Sequence, residues 1–231
     1  MLDRIKYDFP RLKVPRKTSL MVCMRAAKID DYTRSFLSQH PEGIVLHLGC
    51  GLDSRFSRVD NGQVIWFDLD MPDVIELRKK FYDESNRYHM IASSVTDFSW
   101  ADILPLHAQP ALVIAEGLLM YLKEEDVKTL FQKLHQKIPG SSIVFDAFST
   151  MTVKGVKYQP SIKSTGALVH WGIDNPREIE QWTEGIRFVE EWFFSQSETI
   201  AKLGLAYRLT FKLAGFFKAA NKAHRILYFK L

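Results

Sequence analysis

The fold of this chain is decided by residues 45–70, which read VLHLGCGLDSRFSRVDNGQVIWFDLD. An apolar segment runs into a loop that contains Gly49 and Gly51, and a second apolar segment then ends in Asp68 and Asp70. Glycines let a backbone approach a ligand closely, and a carboxylate at the end of the next strand can accept two ribose hydroxyls. The stretch therefore predicts a βαβ unit that binds a nucleoside.

The same loop discriminates among nucleosides. A dinucleotide fingerprint requires a third glycine at residue 54, where this chain has Ser54. The neighbouring Asp53 would repel a phosphate. We therefore expect the cofactor to be S-adenosylmethionine, a cationic nucleoside without phosphates, rather than a nicotinamide dinucleotide.

A longer pattern surrounds this loop: G-x-G-x-D-[ST]-R follows the first strand, and D-x-P ends the second. The matching positions are Gly49, Gly51, Asp53, Ser54, Arg55, Asp70 and Pro72. This combination resembles the leucine carboxyl methyltransferase family, and within it the bacterial branch of tetracenomycin-type polyketide O-methyltransferases. The resemblance implies methyl transfer from S-adenosylmethionine to a hydroxyl or carboxylate oxygen of a small acceptor.

Composition limits the class of protein. A chain of 231 residues with 46% hydrophobic and 25% charged residues fits one soluble α/β domain over residues 1–231. No secretory leader and no run of about 18 apolar residues is visible, so we expect no membrane-spanning segment. Two cysteines, Cys23 and Cys50, suggest a reducing cytoplasm. No Cys/His cluster has metal-ligand spacing, and the basic surface expected of a nucleic-acid binder is missing. The oligomeric state stays open.

Apolar runs alternate with helical patterns, which predicts a mostly parallel sheet with helices on both faces. Together with the resemblance, this predicts the class I S-adenosylmethionine-dependent methyltransferase fold, with seven strands and an antiparallel last strand. The predicted strands are residues 44–48, 64–68, 88–92, 111–115, 142–146, 188–194 and 224–231. The predicted helices are residues 18–39, 72–86, 124–137, 176–184 and much of 197–222.

An N-terminal helix is expected to cover the cofactor within residues 1–40. Residues 17–26 read KTSLMVCMRA and resemble the first helix of the family, in which an arginine grips the methionine carboxylate of the cofactor. Arg25 matches that arginine, and a planar guanidinium can bind a carboxylate bidentately. Lys17 lies about 80° away around the helix and could point into the same site. The alternative for both is an exposed basic helix end.

Two further motifs match the family. Thr96, Asp97 and Phe98 follow the third strand, where the resemblance implies that the acid and the next backbone N–H bind adenine. Glu116 and Tyr121 belong to an E-G-x-L-x-Y-L motif at the end of the fourth strand. A carboxylate there can bind the cofactor ammonium, and the tyrosine is expected to line the wall between cofactor and acceptor.

Only one of two acids need bind the ribose. Asp68 and Asp70 are two residues apart and would face the same side of their strand. The D-x-P position of the family matches Asp70, which we favour. Alternatively, both acids only cap the helix that starts near Pro72.

The acceptor pocket is less well marked. Residues 150–186 are rich in apolar and aromatic side chains, which suggests an aromatic or polyketide-like acceptor. No residue is singled out as a general base: His89, His170 and Tyr158 are polar candidates that are more easily explained as structural. A carboxylate acceptor would need no base, whereas a hydroxyl acceptor would.

Residues 197–223 form a second expected insertion, with an amphipathic pattern over 199–223. On a helical projection Leu203, Leu205, Leu209, Leu213, Phe216 and Phe217 fall on one side, and Arg208, Lys212, Lys218 and Lys222 on the other, with Phe211 among the basic residues. The plainest interpretation is a helix that packs its apolar side on the domain. A lid over the acceptor pocket and a membrane-surface contact are sharper alternatives, of which we favour the lid.

Two other functions share this layout. A nicotinamide-dependent oxidoreductase would use the same strand, glycine loop and acid, but the missing third glycine argues against it. A non-catalytic nucleoside-binding protein of the same fold would lose the cofactor groups, whereas every family position that we match is filled.

Overall fold

A seven-stranded sheet forms the centre of the molecule. The computed structural model describes residues 5, 8, 14–102, 104, 109–156 and 166–231, so Tyr158 lies outside the described residues. The strands are β1 (Ile44–Leu48), β2 (Ile65–Asp70), β3 (Tyr88–Ala92), β4 (Ala111–Ala115), β5 (Ser142–Phe148), β6 (Arg187–Phe193) and β7 (His224–Lys230).

The strand order is β3-β2-β1-β4-β5-β7-β6. Strands β1 to β5 pair in parallel, and β7 runs antiparallel to both β5 and β6. The order reverses direction between β1 and β4, and open α/β sheets bind ligands at such a reversal, beyond the carboxyl ends of the strands. This topology confirms the predicted class I methyltransferase fold, including its antiparallel last strand.

Helices cover both faces of this sheet. Those in the described part of the chain are α1 (Arg16–Gln39), α2 (Arg55–Val59), α3 (Pro72–Arg78), α4 (Glu124–Lys137), α5 (Thr150–Val156), α6 (Leu205–Phe216) and α7 (Lys218–Lys222). Short 3₁₀ turns occupy Phe98–Asp102, Leu119–Tyr121, Pro176–Gln181, Phe194–Gln196 and Glu198–Lys202. Across the described residues, no helix combines the length and apolar character needed to cross a bilayer.

The strand sequences explain the two layers. All five residues of β1 are buried, as expected for a parallel strand covered on both faces. Val45 joins the apolar cluster that contains Ile29 of α1, whereas the next residue, Leu46, joins the cluster that contains Phe131 of α4. Successive side chains of a strand point to opposite faces, so the helices α1 and α4 lie on opposite sides of the sheet.

The predicted strands agree with the observed ones to within two residues at each end. The helices agree less well. The helix predicted over 72–86 ends at Arg78, that over 176–184 is a 3₁₀ turn, and the short helices α2 and α5 were not predicted. The helix predicted within 197–222 is divided into three pieces, because the chain is extended at Gly204 and at Phe217.

Helix α6 corrects the plainest interpretation of residues 199–223. Phe211, expected on the solvent side, is buried, whereas Leu205, Leu209 and Leu213, expected to pack on the domain, are exposed. The helix is rotated so that an aromatic side chain, rather than the leucine row, fills the space beside the sheet. Whether this segment also closes over an acceptor stays a prediction.

A buried ion pair joins β2 to α3. Asp68 is fully buried and accepts hydrogen bonds from Trp66 Nε1 at 2.8 Å, from the Tyr88 hydroxyl at 2.5 Å and from Arg78 Nη2. Burial alone would raise the pKa of the Asp68 carboxyl, but His47, Arg78 and Tyr88 lower it below its usual value. The ionised carboxylate therefore stabilises the folded state.

We expect Asp68→Asn to reduce the free energy of unfolding at neutral pH by about 3–5 kcal/mol, because it leaves the buried Arg78 without its counter-charge. The folded-state pKa is lowered, so this stabilisation is complete above the unfolded-state value of about 3.9 and is lost as pH falls towards the folded-state pKa. Urea denaturation at several pH values should show the difference between wild type and variant narrowing in acid.

The matched control is Asp31→Asn, which removes an exposed carboxylate 3.3 Å from Arg34. An exposed pair of this kind contributes about 0–1 kcal/mol. Equal losses in Asp68→Asn and Asp31→Asn would contradict the structural role of Asp68.

Candidate functional site

A cavity opens where the strand order reverses. It has a volume of about 560 Å³ and is lined by residues from α1, from the glycine loop and from the end of β4, including Arg25, Gly49 and Glu116. Sites for small molecules usually measure about 300–1,000 Å³, so the cavity has room for a nucleoside with an attached amino acid.

The glycine loop holds an acid at the edge of this crevice. Gly49 and Gly51 have φ angles of 62° and 51°, in the left-handed region that favours glycine, and a side chain added to Gly51 would meet no atom within 4 Å. The backbone N–H groups of Gly51 and Met71 donate to the two carboxylate oxygens of Asp70 at 2.7 and 2.8 Å. The loop is therefore open to a ligand, with a partly exposed carboxylate fixed at its side.

Arg25 joins helix α1 to the carboxyl ends of two neighbouring strands. Its Nε donates to Glu116 Oε1 at 2.8 Å, and its Nη1 donates to Asp146 Oδ2 at 2.7 Å. Burial alone would lower the pKa of Arg25, but Asp146 and Glu116 raise it above its ordinary value, so the guanidinium stays charged. Its Nη2 makes no hydrogen bond to any described residue and lies 3.3 Å from the position of a Cβ added to Gly117. A donor at the wall of the crevice is thus available to a ligand.

Asp146 lies beneath this arginine, fully buried in β5. Besides Arg25, it accepts from the Gly117 backbone N–H at 2.6 Å and from His224 Nε2 at 2.7 Å. Burial would raise the pKa of Asp146, but Arg25, His224 and Gly117 lower it well below its usual range. Because a carboxylate only accepts, His224 carries a proton on Nε2, through which it donates to Asp146.

Further ion pairs hold Glu116 on the side away from Arg25. Arg55 is fully buried, donates to Glu116 Oε2, and donates from Nε to Asp30 Oδ1 at 2.7 Å. Arg58 bridges Asp30 and Asp53 through bonds of 2.7 and 2.8 Å. Three guanidinium groups thus face four carboxylates, those of residues 30, 53, 116 and 146, and Arg34 adds a fourth guanidinium 4.0 Å from Asp30.

The structure brings several predicted residues together. Gly49, Gly51 and Asp53 form the loop, with Arg25 and Glu116 across the cavity from it. Tyr121 is 41% exposed and lies close to Asp146 and Arg25: burial raises the pKa of its phenol, Asp146 raises it further and Arg25 lowers it.

Other predicted residues lie elsewhere. Lys17 is exposed in the first turn of α1 and makes no ion pair with a described residue. Asp68 is buried below Asp70, with its oxygens used by the bonds to Trp66, Tyr88 and Arg78.

The turn after β3 places the adenine-binding candidates at the surface. Thr96 and Asp97 are exposed, and Asp97 accepts from the backbone N–H and the hydroxyl of Ser99 at 3.2 and 2.9 Å. Phe98 is half-buried and packs against Trp100. The turn follows the strand beside β2, so it lies at the same edge of the sheet as Asp70.

Three polar side chains of the site were missed. Asp146 interrupts the apolar run SIVFDAF of β5, and a buried acid within such a run was a usable signal. Arg55 belongs to the D-S-R motif but was not identified as a partner of Glu116. His224 carried no signal, because only the antiparallel pairing of β7 with β5 brings it next to Asp146.

Comparison with known proteins identifies the family. The pattern of the leucine carboxyl methyltransferase family matches residues 6–135, which include α1, the glycine loop and the end of β4. The solved structure of a DUF574 family protein from Streptomyces avermitilis covers 90% of this chain and 82% of its own with a TM-score of 0.62. At 13% sequence identity it shows the fold alone.

Two sequence relatives extend the match. The tetracenomycin polyketide synthesis O-methyltransferase TcmP of Streptomyces glaucescens is 43% identical over 87% of this chain and 74% of its own. The S-adenosyl-L-methionine-dependent methyltransferase dpfgK of Gibberella zeae is 30% identical over 81% of this chain and 69% of its own. The resemblance seen in the motifs is thereby confirmed, and this chain belongs to the leucine carboxyl methyltransferase family.

Proposed function

We propose that this protein is an S-adenosylmethionine-dependent O-methyltransferase that methylates a hydroxyl or carboxylate oxygen of a small aromatic or polyketide-like acceptor. The observation that carries the proposal is the arrangement of Arg25 between Glu116 and Asp146, at the wall of a cavity bounded by the glycine loop. It offers a guanidinium donor and a carboxylate side by side, which is what the amino-acid end of the cofactor requires.

Each end of the cofactor then has a partner. Arg25 would bind the carboxylate with its remaining donor, and Glu116 would accept from the ammonium. Asp70, fixed by two backbone N–H groups, would accept from the ribose hydroxyls. Asp97 and Phe98 lie at the same edge of the sheet, and they would bind the adenine. Asp146 is a positioning residue, because it holds the guanidinium of Arg25 without facing the cofactor.

The charge of the site supports this choice of cofactor. S-adenosylmethionine carries a carboxylate, an ammonium and a sulfonium, and therefore one net positive charge. Among the residues that line the cavity, the three acids Asp30, Asp53 and Glu116 outnumber the two arginines, Arg25 and Arg58. A dinucleotide would instead bring two negatively charged phosphates next to Asp53, with no third glycine to bind them.

The protein accelerates the reaction mainly by holding its parts in line. When bound, S-adenosylmethionine supplies an electrophilic methyl group on a sulfonium. Arg25, Glu116 and Asp70 fix the position of that group, and alignment with the acceptor oxygen can contribute roughly 7–11 kcal/mol. The half-exposed Tyr121 lies close to Arg25 and Asp146, and we propose that it lines the wall between cofactor and acceptor.

Residues 150–186 are proposed to supply much of the acceptor pocket. The backbone N–H groups of His170 and Trp171 donate to the Met120 carbonyl at 2.8 and 3.2 Å, next to Tyr121. The described part of this segment therefore lies against the turn that follows Glu116. The name of TcmP, a polyketide O-methyltransferase, supports an acceptor of that class.

Three further expectations accompany this function. Both cysteines are free, which agrees with a cytoplasmic location. We also propose that residues 1–231 form one methyltransferase domain, with α1 as the cofactor cover. A small molecule rather than a nucleic acid is the expected acceptor.

The proposal is tested by calorimetric titration of the purified protein with S-adenosylmethionine, NAD and NADP in parallel. We expect micromolar binding of S-adenosylmethionine, because the charges of the site complement it, and no detectable binding of either dinucleotide. Tighter binding of NAD than of S-adenosylmethionine would overturn the proposed function.

Arg25→Ala and Glu116→Ala should each weaken S-adenosylmethionine binding by roughly 10- to 150-fold, because each removes a charge-assisted hydrogen bond of about 1.5–3 kcal/mol. Arg177→Ala is the control, since Arg177 is exposed and pairs with Glu180 at 3.4 Å on the surface. Unchanged affinity in both site variants, measured on folded protein, would remove this assignment.

Asp70→Asn should weaken cofactor binding by about tenfold or more, because the amide replaces a charged acceptor of the ribose hydroxyls. Asp68→Asn should lower stability but change affinity less, since Asp68 does not reach the crevice. Titration below the unfolding temperature of each variant separates the two effects. The reverse order of affinities would mean that Asp68 is the ribose-binding carboxylate.

A further inference from the structure

Helix α6 presents a row of large apolar side chains to solvent. Leu205, Leu209, Leu213 and Phe216 are 70, 51, 57 and 75% exposed. At about 100° per residue they fall within an arc of about 80° on one side of the helix. Phe217, which follows directly, is exposed as well. Of the twelve exposed large apolar side chains in the described part of the chain, five therefore lie within thirteen consecutive residues.

The opposite side of α6 is anchored to the domain. Phe211, about 160° from the middle of the leucine row, is buried in the apolar cluster that also contains Trp192 and Phe194. A Cβ added to Gly215 would lie 3.2 Å from Ser195 Cβ, so the helix backbone approaches the turn after β6 closely. The helix is therefore packed on the domain, and this packing is what turns the leucine row towards solvent.

Positive charge borders this row, within a stretch of sequence that has no acid. Residues 199–231 contain seven Lys and Arg and no Asp or Glu. Arg208 and Lys212 are exposed, and they lie about 60° and 20° from Leu205 on the helical projection, along one edge of the row. Lys218 is exposed just beyond the C-terminal end of the helix, whereas Lys202, before its N-terminal end, lines a cavity with Asp31 and Glu198.

We propose that α6 docks on an anionic lipid surface, with Leu205, Leu209, Leu213 and Phe216 entering the headgroup boundary and Arg208 and Lys212 facing lipid phosphates. Leucine and phenylalanine on one face with lysine and arginine beside them is the composition of interfacial helices. Each cation near an anionic bilayer adds about a factor of five to binding.

A second copy of the chain fits this surface less well. A symmetric dimer brings the same patch against itself, so the cations of both copies would face each other with no carboxylate in this acid-free segment to compensate them. An anionic bilayer supplies the missing negative charge and also accepts the apolar row. Charge complementarity therefore favours an anionic lipid surface over a second copy of the chain.

The position of α6 relates lipid docking to the proposed active site. The helix lies between the carboxyl end of β6 and the start of β7, at the same sheet edge as Glu116 and Asp146. Docking would therefore bring the bilayer to the sheet edge at which the crevice opens, where a lipophilic acceptor could reach it. This last step rests on the proposed function, whereas lipid binding itself does not.

The test is co-sedimentation of the whole chain with vesicles of phosphatidylcholine alone and of an equimolar mixture of phosphatidylcholine and phosphatidylglycerol. We expect binding to the mixed vesicles only, and weaker binding as salt is raised. Leu209→Gln with Leu213→Gln should weaken it by about tenfold or more, because the apolar row is interrupted. Arg208→Glu with Lys212→Glu should weaken it by roughly 30-fold or more.

The matched control is Lys123→Glu with Lys128→Glu, which makes the same change in net charge near and on α4, on the opposite face of the sheet, and should leave binding unchanged. Binding of S-adenosylmethionine by every variant, or an unchanged unfolding curve, shows that each is folded. Equal loss in the control would mean that only net charge matters and would overturn the proposal. No binding to the mixed vesicles, or a dimer in sedimentation velocity that the leucine variant dissociates, would overturn it too.

Discussion

The contact on which the site depends is the Arg25 guanidinium held between two carboxylates that emerge from neighbouring strands. Glu116 follows β4 and Asp146 lies in β5, so their separation is set by the sheet itself. A planar donor that bonds both ties α1 across the carboxyl edge of the sheet and closes one side of the crevice. The arginine also keeps Asp146 ionised although that carboxyl is fully buried. The position of α1, the shape of the crevice wall and the ionisation of Asp146 therefore all depend on the Arg25 guanidinium.

That constraint explains why the surrounding residues are charged despite their burial. Arg55 is buried without access to solvent, and a buried cation is tolerated only when carboxylates and hydrogen bonds replace its water. Asp30 and Glu116 supply them here. The five-residue helix α2 follows the glycine loop, and its first residue, Arg55, points into the protein and forms these ion pairs. A dinucleotide-binding loop uses the same position to aim a helix N-terminus at a phosphate, so the two kinds of site differ in what the loop residues face.

The sequence predicted the sheet well because its strands are short apolar runs bounded by glycine, proline or acids, and burial on both faces leaves little choice of boundary. It also predicted the residues that lie in contiguous motifs, such as Gly49, Gly51 and Glu116. It did not predict the partners: Arg25 lies 91 residues from Glu116 and 121 from Asp146. Strand geometry could not separate Asp68 from Asp70 either, since both point to the same side of β2, and only the D-x-P motif of the family favoured Asp70. The two acids differ in burial. Asp68 is buried because Arg78 of α3 and Tyr88 of β3 pack against it and donate hydrogen bonds to it.

Helix α6 shows a different limit. An amphipathic pattern indicates that a helix has two unlike faces, but it does not say which face meets the protein. The usual inference assigns the apolar face to the core because a core is the apolar environment most often at hand. In this chain one aromatic residue, Phe211, fills the space beside Trp192 and Phe194, and the wider leucine row is turned outward. Contiguous exposed apolar patches usually mark a contact with another protein or a membrane, so the exposed leucine row agrees with the lipid contact proposed above. The same physical rule that predicts a core for most helices therefore predicts a surface contact for this one.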